Sequence, residues 1–320
     1  MTGLAFIFPG QGSQEIGMGR ALADAFPAAR AVFAEVDDAL GQNLSKLMWD
    51  GDIAELTLTA NTQPALMAHS VAAMRALEAA SGLSAADARF VAGHSLGEYS
   101  ALASAGAISL ADTARLLRIR GNAMQGAVAA GEGAMAALLG ADVAQAEAAC
   151  VAGRATGGVC EIANDNAPGQ LVLSGSKAAI DAACEHAKAN GVKKAMALNV
   201  SAPFHCSLMQ PAADAMAAAL SGVSISAPVV PVVANISAAP TSDPDTIRQN
   251  LVDQVTGRVR WTESVQFMVG QGVTSTAEAG AGKVLTVMQR RIEKSLNGFT
   301  LGTPEDIEAF AAYIKGEAHV

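Results

Sequence analysis

The chain has 320 residues, 51% of them apolar and only 16% charged, with a formal net charge of −9. That composition provides for a sizeable buried core and excludes an intrinsically disordered chain. The acidic balance removes the basic footprint that nucleic-acid phosphates need, so no nucleic-acid partner is expected.

In chain order, Leu4–Phe8 reads as a buried strand and Pro9-Gly10-Gln11-Gly12-Ser13-Gln14 as a loop too rich in glycine to be regular. The first run lacks the basic start of a secretory leader. No uninterrupted apolar run reaches the roughly 20 residues that span a bilayer, so no membrane association is expected. Helical patterns fill 20–40 and 63–80. A short strand over 88–92 then leads through Gly93-His94-Ser95-Leu96-Gly97 into a helix starting at Glu98. Ser109-Leu110-Ala111-Asp112 has the form of a capping box opening a helix through about 125.

From about 133 to 199 the rhythm changes. A strand over 134–139, a helix over 143–151 and a strand over 159–163 are followed by a turn-rich loop over 164–169. A strand over 170–174, a helix over 177–190 and a strand over 193–198 complete the segment. This βαββαβ order is that of a ferredoxin-like unit, so residues 127–199 are expected to form an inserted subdomain. The chain then resumes with a helix over 207–220 and a strand over 229–234. Asp243-Pro244, an N-cap and N1 pair, opens a helix over 244–255. A helix over 261–270, a strand over 274–278 and a helix over 283–294 finish the core. Strands alternating with helices imply a mainly parallel sheet covered on both faces, built from residues 1–126 and 200–320.

A G-x-S-x-G between strand and helix is the nucleophile elbow, which makes this core α/β-hydrolase-like. Glycines allow the tight turn, the turn pushes the Ser95 hydroxyl out of the sheet, and the following helix aims its free N–H groups back at it. A serine hydroxyl needs a base. Of five histidines, His319 lies in the tail and His186 on an exposed-looking helix, while His69 sits in an alanine-rich helix as a packing or capping residue. His94 adjoins the serine, with its side chain expected to point away. His205, in the irregular segment Ser201-Ala202-Pro203-Phe204-His205-Cys206, is the leading candidate, because catalytic bases favour loops fixed between rigid elements. Arg120 falls in the apolar stripe of its helix with Leu116, Leu117 and Met124, whereas Arg115 and Arg118 can reach solvent. A buried guanidinium needs a partner, either an internal carboxylate or the carboxylate of a substrate. Cys150, Cys160, Cys184 and Cys206 show no C-x-x-C spacing, so no metal site or disulfide framework is indicated and a reducing cytoplasm is expected.

Taken together, Gly93 to Leu102, the opening Phe8-Pro9-Gly10-Gln11-Gly12-Ser13-Gln14, Arg120-Gly121 and Ala202-Pro203-Phe204-His205 resemble malonyl-CoA:acyl carrier protein transacylases and the related acyltransferase domains of fatty acid and polyketide synthases. The resemblance runs from Phe6 to about Lys294. It implies ping-pong transfer of a malonyl group from malonyl-CoA to the phosphopantetheine thiol of acyl carrier protein, for fatty acid biosynthesis, with no cofactor and as a monomer. Ser95 would be the nucleophile and His205 its base. Backbone N–H groups of Gln11 and Leu96 would form the oxyanion hole, and Arg120 would bind the malonyl carboxylate. Gln254 would orient His205 through its main-chain carbonyl, without a third acidic member. The 164–170 loop would lie near the acyl and pantetheine channel. Phe204 is expected to narrow the acyl pocket or to pack the core. Lys283, Arg290, Arg291 and Lys294 cluster as a docking patch for an acidic carrier, or as a solvated helix face. Two rivals share these features, a serine thioesterase or esterase that passes the acyl group to water and a non-catalytic scaffold.

Overall fold

The computed structural model describes residues 3–200 and 202–316, so Ser201 and His319 lie outside the described residues. The described strands are β1 (Leu4–Phe8), β2 (Phe90–Gly93), β3 (Gly133–Leu139), β4 (Cys160–Ala167), β5 (Gln170–Ser176), β6 (Lys194–Ala197), β7 (Val232–Val233), β8 (Pro240–Thr241), β9 (Val259–Arg260), β10 (Ser275–Glu278) and β11 (Asn297–Thr300). The first sheet has the order β11-β10-β1-β2-β7-β8 and is parallel except at β7–β8. All five residues of β1 are buried, as a strand covered on both faces requires. Alternation assigns its side chains. Leu4, Phe6 and Phe8 join the large core with Leu66, Leu77, Leu117 and Phe310. Ala5 and Ile7 join the opposite one with Trp261, Val265 and Leu285. Helices therefore cover both faces, as expected.

The second sheet, β6-β3-β5-β4-β9, is antiparallel except where β4 meets β9. One face packs on helices Val143–Arg154 and Lys177–Ala189. The other places Met135, Ala163 and Val172 against Leu198 and Phe204. β9 belongs to the chain beyond residue 200, so a backbone ladder joins β4 to that later part of the chain. Among the described residues, no helix is long and apolar enough to cross a membrane.

Several elements differ from the sequence reading. The helix expected over 20–40 is two, Arg20–Ala25 and Pro27–Leu40. Phe26 precedes a proline and is extended (φ −124°, ψ 112°), which interrupts the helix. The second helix begins at Thr59 rather than 63 and carries Pro64 inside it. The loop expected over 164–169 is mostly strand. β4 continues to Ala167 through two register shifts, and Asn164 and Asp165 pair with Val259 and Arg260. β7 covers only two residues of the strand expected over 229–234. The core does not end at 294: β11 pairs with β10, and helix Pro304–Ile314 sets the Phe310 ring 6.4 Å from that of Phe6.

Candidate active site

Ligands of parallel α/β sheets gather beyond the carboxyl ends of the strands. Here β1 runs into the Gln11 loop, β2 into Ser95, and β7 into Asn235. Register brings them level, with Phe8 opposite Gly93 and Ala92 opposite Val233. The turn after β2 is as tight as the motif implies. A Cβ on Gly93 would lie 1.9 Å from the Gly97 carbonyl carbon, and one on Gly97 would lie 2.2 Å from the Phe8 carbonyl oxygen. Ser95 itself has φ 54°, in the left-handed region that non-glycine residues seldom occupy. His205 shares this feature at φ 58°.

The structure brings Ser95, His205 and Arg120 together. Ser95 Oγ lies 2.7 Å from His205 Nε2, and Arg120 Nη2 donates to the same oxygen at 3.1 Å. His205 Nδ1 lies 2.9 Å from the Gln254 main-chain carbonyl, which can only accept, so Nδ1 carries the proton and Nε2 keeps its lone pair toward the serine. Burial, reinforced by the Arg120 charge, pushes His205 down to about 3, so the imidazole is neutral and able to accept a proton at neutral pH. The base is oriented by a carbonyl, and among the described residues no carboxylate bonds to its ring.

Arg120 is 1% exposed. Nη1 donates to Gln63 Oε1 at 2.7 Å and Nη2 to Gln254 Oε1 at 2.9 Å. Among the described residues no carboxylate lies within ion-pair distance of it; the buried Glu98 carboxylate acts on its charge from beyond Gln254, which bonds to both. Burial lowers its proton affinity, yet arginine keeps its charge in proteins. The result is a buried cation facing the cavity with only neutral ligands. Its helix, Leu110–Gly126, comes this close because residue 121 is glycine, where a Cβ would lie 2.5 Å from Ala60 Cα.

A cavity of about 360 Å³ opens over these groups. Gln11, Leu96, Asn166, Phe204 and Met288 are among its lining residues. Among the described residues, neither the Gln11 nor the Leu96 backbone N–H donates to a group of the chain. His94 does turn from the serine, and its Nε2 lies 2.8 Å from Asn166 Oδ1 across the gap between the two sheets. His69 is buried, with Nε2 3.1 Å from the Gly302 carbonyl. Cys206 Sγ donates to the Pro203 carbonyl at 3.1 Å, and burial pushes its thiol up to about 11, which leaves no reactive thiolate. Arg118 departs from the sequence reading. It is half-buried and donates to Asn61 and Gln42 side chains instead of reaching solvent. Among the described residues, no three His, Cys, Asp or Glu side chains are grouped to hold a metal ion.

Sequence reasoning missed Gln63, Glu98 and Asn235. Gln63 stands at the expected start of its helix, and nothing in the sequence marks its side chain for the cavity. Glu98 is 1% exposed and accepts from Gln254 Nε2 and the Asn235 backbone N–H, both at 2.9 Å. Burial pushes it up to about 7 against these bonds and the pull of Arg120. Only the position of Glu98 just after the elbow could have flagged it.

Comparison with known proteins follows the same lines. A profile of the acyl transferase domain family matches residues 5–298. The chain is 45% identical to a malonyl CoA-acyl carrier protein transacylase of Escherichia coli (strain K12) over 309 residues, covering 97% of this chain and 99% of the relative. The structure superposes on an acyl-carrier-protein-S-malonyltransferase from Bartonella henselae with a TM-score of 0.95 at 56% identity, covering 98% and 99% of the two chains. A further similar structure shows a type II polyketide synthase acyl carrier protein in complex with its malonyl-transacylase (TM-score 0.93, 41% identity, coverage 97% and 99%).

Proposed function

The chain belongs to the acyl transferase domain family, and from that premise we propose that it is an acyl carrier protein S-malonyltransferase of fatty acid biosynthesis. The observation that carries the reading is Arg120, a buried guanidinium with uncharged ligands, 3.1 Å from the Ser95 hydroxyl. Such a cation fits an acyl group that ends in a carboxylate, and the planar fork can hold both its oxygens. A thioesterase for fatty acyl groups has no use for it.

In the first half-reaction Ser95 Oγ attacks the malonyl thioester carbon while its proton passes to His205 Nε2. The carbonyl oxygen gains charge and takes hydrogen bonds from the Gln11 and Leu96 N–H groups. Collapse breaks the C–S bond, and CoA leaves with the proton from His205. In the second half, the carrier's pantetheine thiol gives its proton to His205 as sulfur attacks the malonyl ester. The C–O bond then breaks and Ser95 recovers its proton. Base catalysis of this kind contributes about 10²- to 10⁴-fold, and each oxyanion donor about 3 kcal/mol. These steps draw only on side chains and backbone of one chain, so the proposed chemistry calls on no cofactor and no residue of a second subunit. Four free cysteines support a reducing cytoplasm.

The same reading divides the chain into an α/β-hydrolase-like core, residues 1–126 and 200–320, and a ferredoxin-like subdomain, residues 127–199. The subdomain supplies Met135, Asn166 and Val172 to the cavity. The test is intact mass after mixing with malonyl-CoA. One malonyl group should appear on the protein, none on Ser95→Ala, and it should move to carrier protein when that is added. Steady release of free malonate instead would turn the reading toward a hydrolase.

A further inference from the structure

Asn235 follows β7, and the pairing of β7 with β2 sets it beside the elbow. Its side-chain amide spans the turn. Nδ2 donates to the Gly93 carbonyl at 2.6 Å, and Oδ1 accepts from the Ser95 backbone N–H at 2.7 Å. Its own backbone is also committed, the N–H to Glu98 Oε2 at 2.9 Å and the carbonyl to the Arg260 N–H at 3.1 Å. Glu98 Oε2 takes a second bond from Gln254 Nε2, which also donates to the Ser95 carbonyl at 3.1 Å. Gln254 in turn holds His205 through its carbonyl and Arg120 through Oε1. The peptide groups on both sides of a serine in a seldom-occupied conformation are therefore gripped by side-chain amides, and one buried carboxylate holds the Gln254 amide and the Asn235 backbone N–H.

We propose that Asn235, anchored by Glu98, is a positioning residue that straps the elbow and fixes the Ser95 hydroxyl against His205 and Arg120. The pair performs for the nucleophile the orienting work that a triad acid performs for the imidazole. It touches neither substrate nor the transferred proton. Its loss therefore slows acylation of Ser95 and leaves binding of the acyl-CoA in place.

This inference rests on the acyl transfer reading above, and the test separates the two. Single-turnover acylation of the full chain is followed by quenched intact mass with malonyl-CoA and acetyl-CoA. In Asn235→Ala the rate falls about 10²-fold for both acyl groups, and half-saturation by malonyl-CoA stays within about twofold. A rate per folded site equal to wild type, with only a lower Tm, overturns the proposal. Asn235→Asp covers the case in which the alanine variant does not fold. Aspartate can accept from the Ser95 N–H, but it donates to the Gly93 carbonyl only when protonated. The position is fully buried and lies against the Glu98 carboxylate, and both effects raise a carboxyl's proton affinity by several pH units, so the rate relative to wild type rises as pH falls from about 9 to about 6. Normalising to wild type at each pH cancels what Arg120 and His205 contribute to both proteins, and repeating the comparison in Glu98→Gln removes the carboxylate that titrates in the same window. A pH-independent ratio also overturns the proposal. Should wild type take no malonyl group, the acyl transfer reading fails, and the strap is still measured by the rate at which a fluorophosphonate labels Ser95 in each variant.

Discussion

Arg120 carries two electrostatic consequences. Its charge awaits an anion, and the same charge helps to depress His205. Removing it should separate acyl groups by charge. In Arg120→Ala, malonyl transfer is expected to fall about 10²- to 10³-fold, the scale for losing one partner of a buried charge pair, while acetyl transfer persists or rises. Equal losses for both acyl groups would argue against the clamp. The pH profile gives a second readout. A base depressed to about 3 keeps its acid limb far below neutrality. Without the neighbouring cation the His205 proton affinity rises, so the acid limb of acetyl transfer in Arg120→Ala should move to higher pH.

The residues legible in the sequence were those with a chemical or conformational signature. Ser95 stood between glycines, His205 was an imidazole in an irregular segment, and Arg120 was a cation in an apolar stripe. Gln254 and Gln11 came only with the family resemblance, because a buried amide or a backbone N–H has no local pattern to betray it. Asn235 has no local pattern for a related reason, and Glu98 offers only its place after the elbow. They meet across 137 positions of chain, and nothing local to either records the meeting.

At the scale of elements, the long helix Thr59–Ser81 shows how one segment serves both site and scaffold. Its first turns bring Thr59 and Gln63 to the cavity, and farther along His69 ties it to the loop before helix Pro304–Ile314. The strand β4 was misread because the partner that orders its polar half, β9, lies 95 positions downstream. The helix expected from 63 begins at Thr59 because its first turn, Thr59-Ala60-Asn61-Thr62, lacks the apolar pattern by which a helix is read. His69 also makes the helix sensitive to acid. Burial lowers it from 6.5 to about 4, so the unfolded chain takes up this proton before the folded one does. Its contribution is complete above the unfolded pKa and is lost as pH falls through the folded one. Between those pH values wild type should lose about 3 kcal/mol more stability than His69→Gln, whose amide can still donate to the Gly302 carbonyl. Parallel urea titrations at about pH 6.5 and pH 4 check this. An identical loss in both proteins would mean that His69 is not held neutral.

Across the whole molecule, the two sheets are joined at several points near the cavity. The β4–β9 ladder is reinforced by Thr262 Oγ1 on Asp165 Oδ1 at 2.6 Å and by Arg291 Nη1 on Gln170 Oε1 at 2.9 Å. Arg291 thus differs from the other cations near the rim, since its guanidinium ties helix Val284–Ile292 to the second sheet. That helix is itself pinned at its start, where the buried Glu278 carboxylate accepts from the Leu285 and Thr286 N–H groups. Val284, Leu285 and Met288 of this helix line the cavity, while Lys283, Arg290 and Lys294 are exposed. A chain with net charge −9 repels an acidic carrier at long range, so docking calls for a local reversal of sign, and we propose that the exposed cations of this helix, beside the cavity, supply it. Exposed charges of this kind act mainly on association and its salt dependence. Replacing Arg290 and Lys294 together by glutamate should therefore raise the carrier concentration needed for half-maximal transfer about tenfold and flatten its salt dependence. The rate at which malonyl-CoA loads Ser95 should stay at the wild-type value, because that half-reaction involves no carrier. A loss confined to loading, or an unchanged carrier requirement, would move the docking surface elsewhere on the molecule.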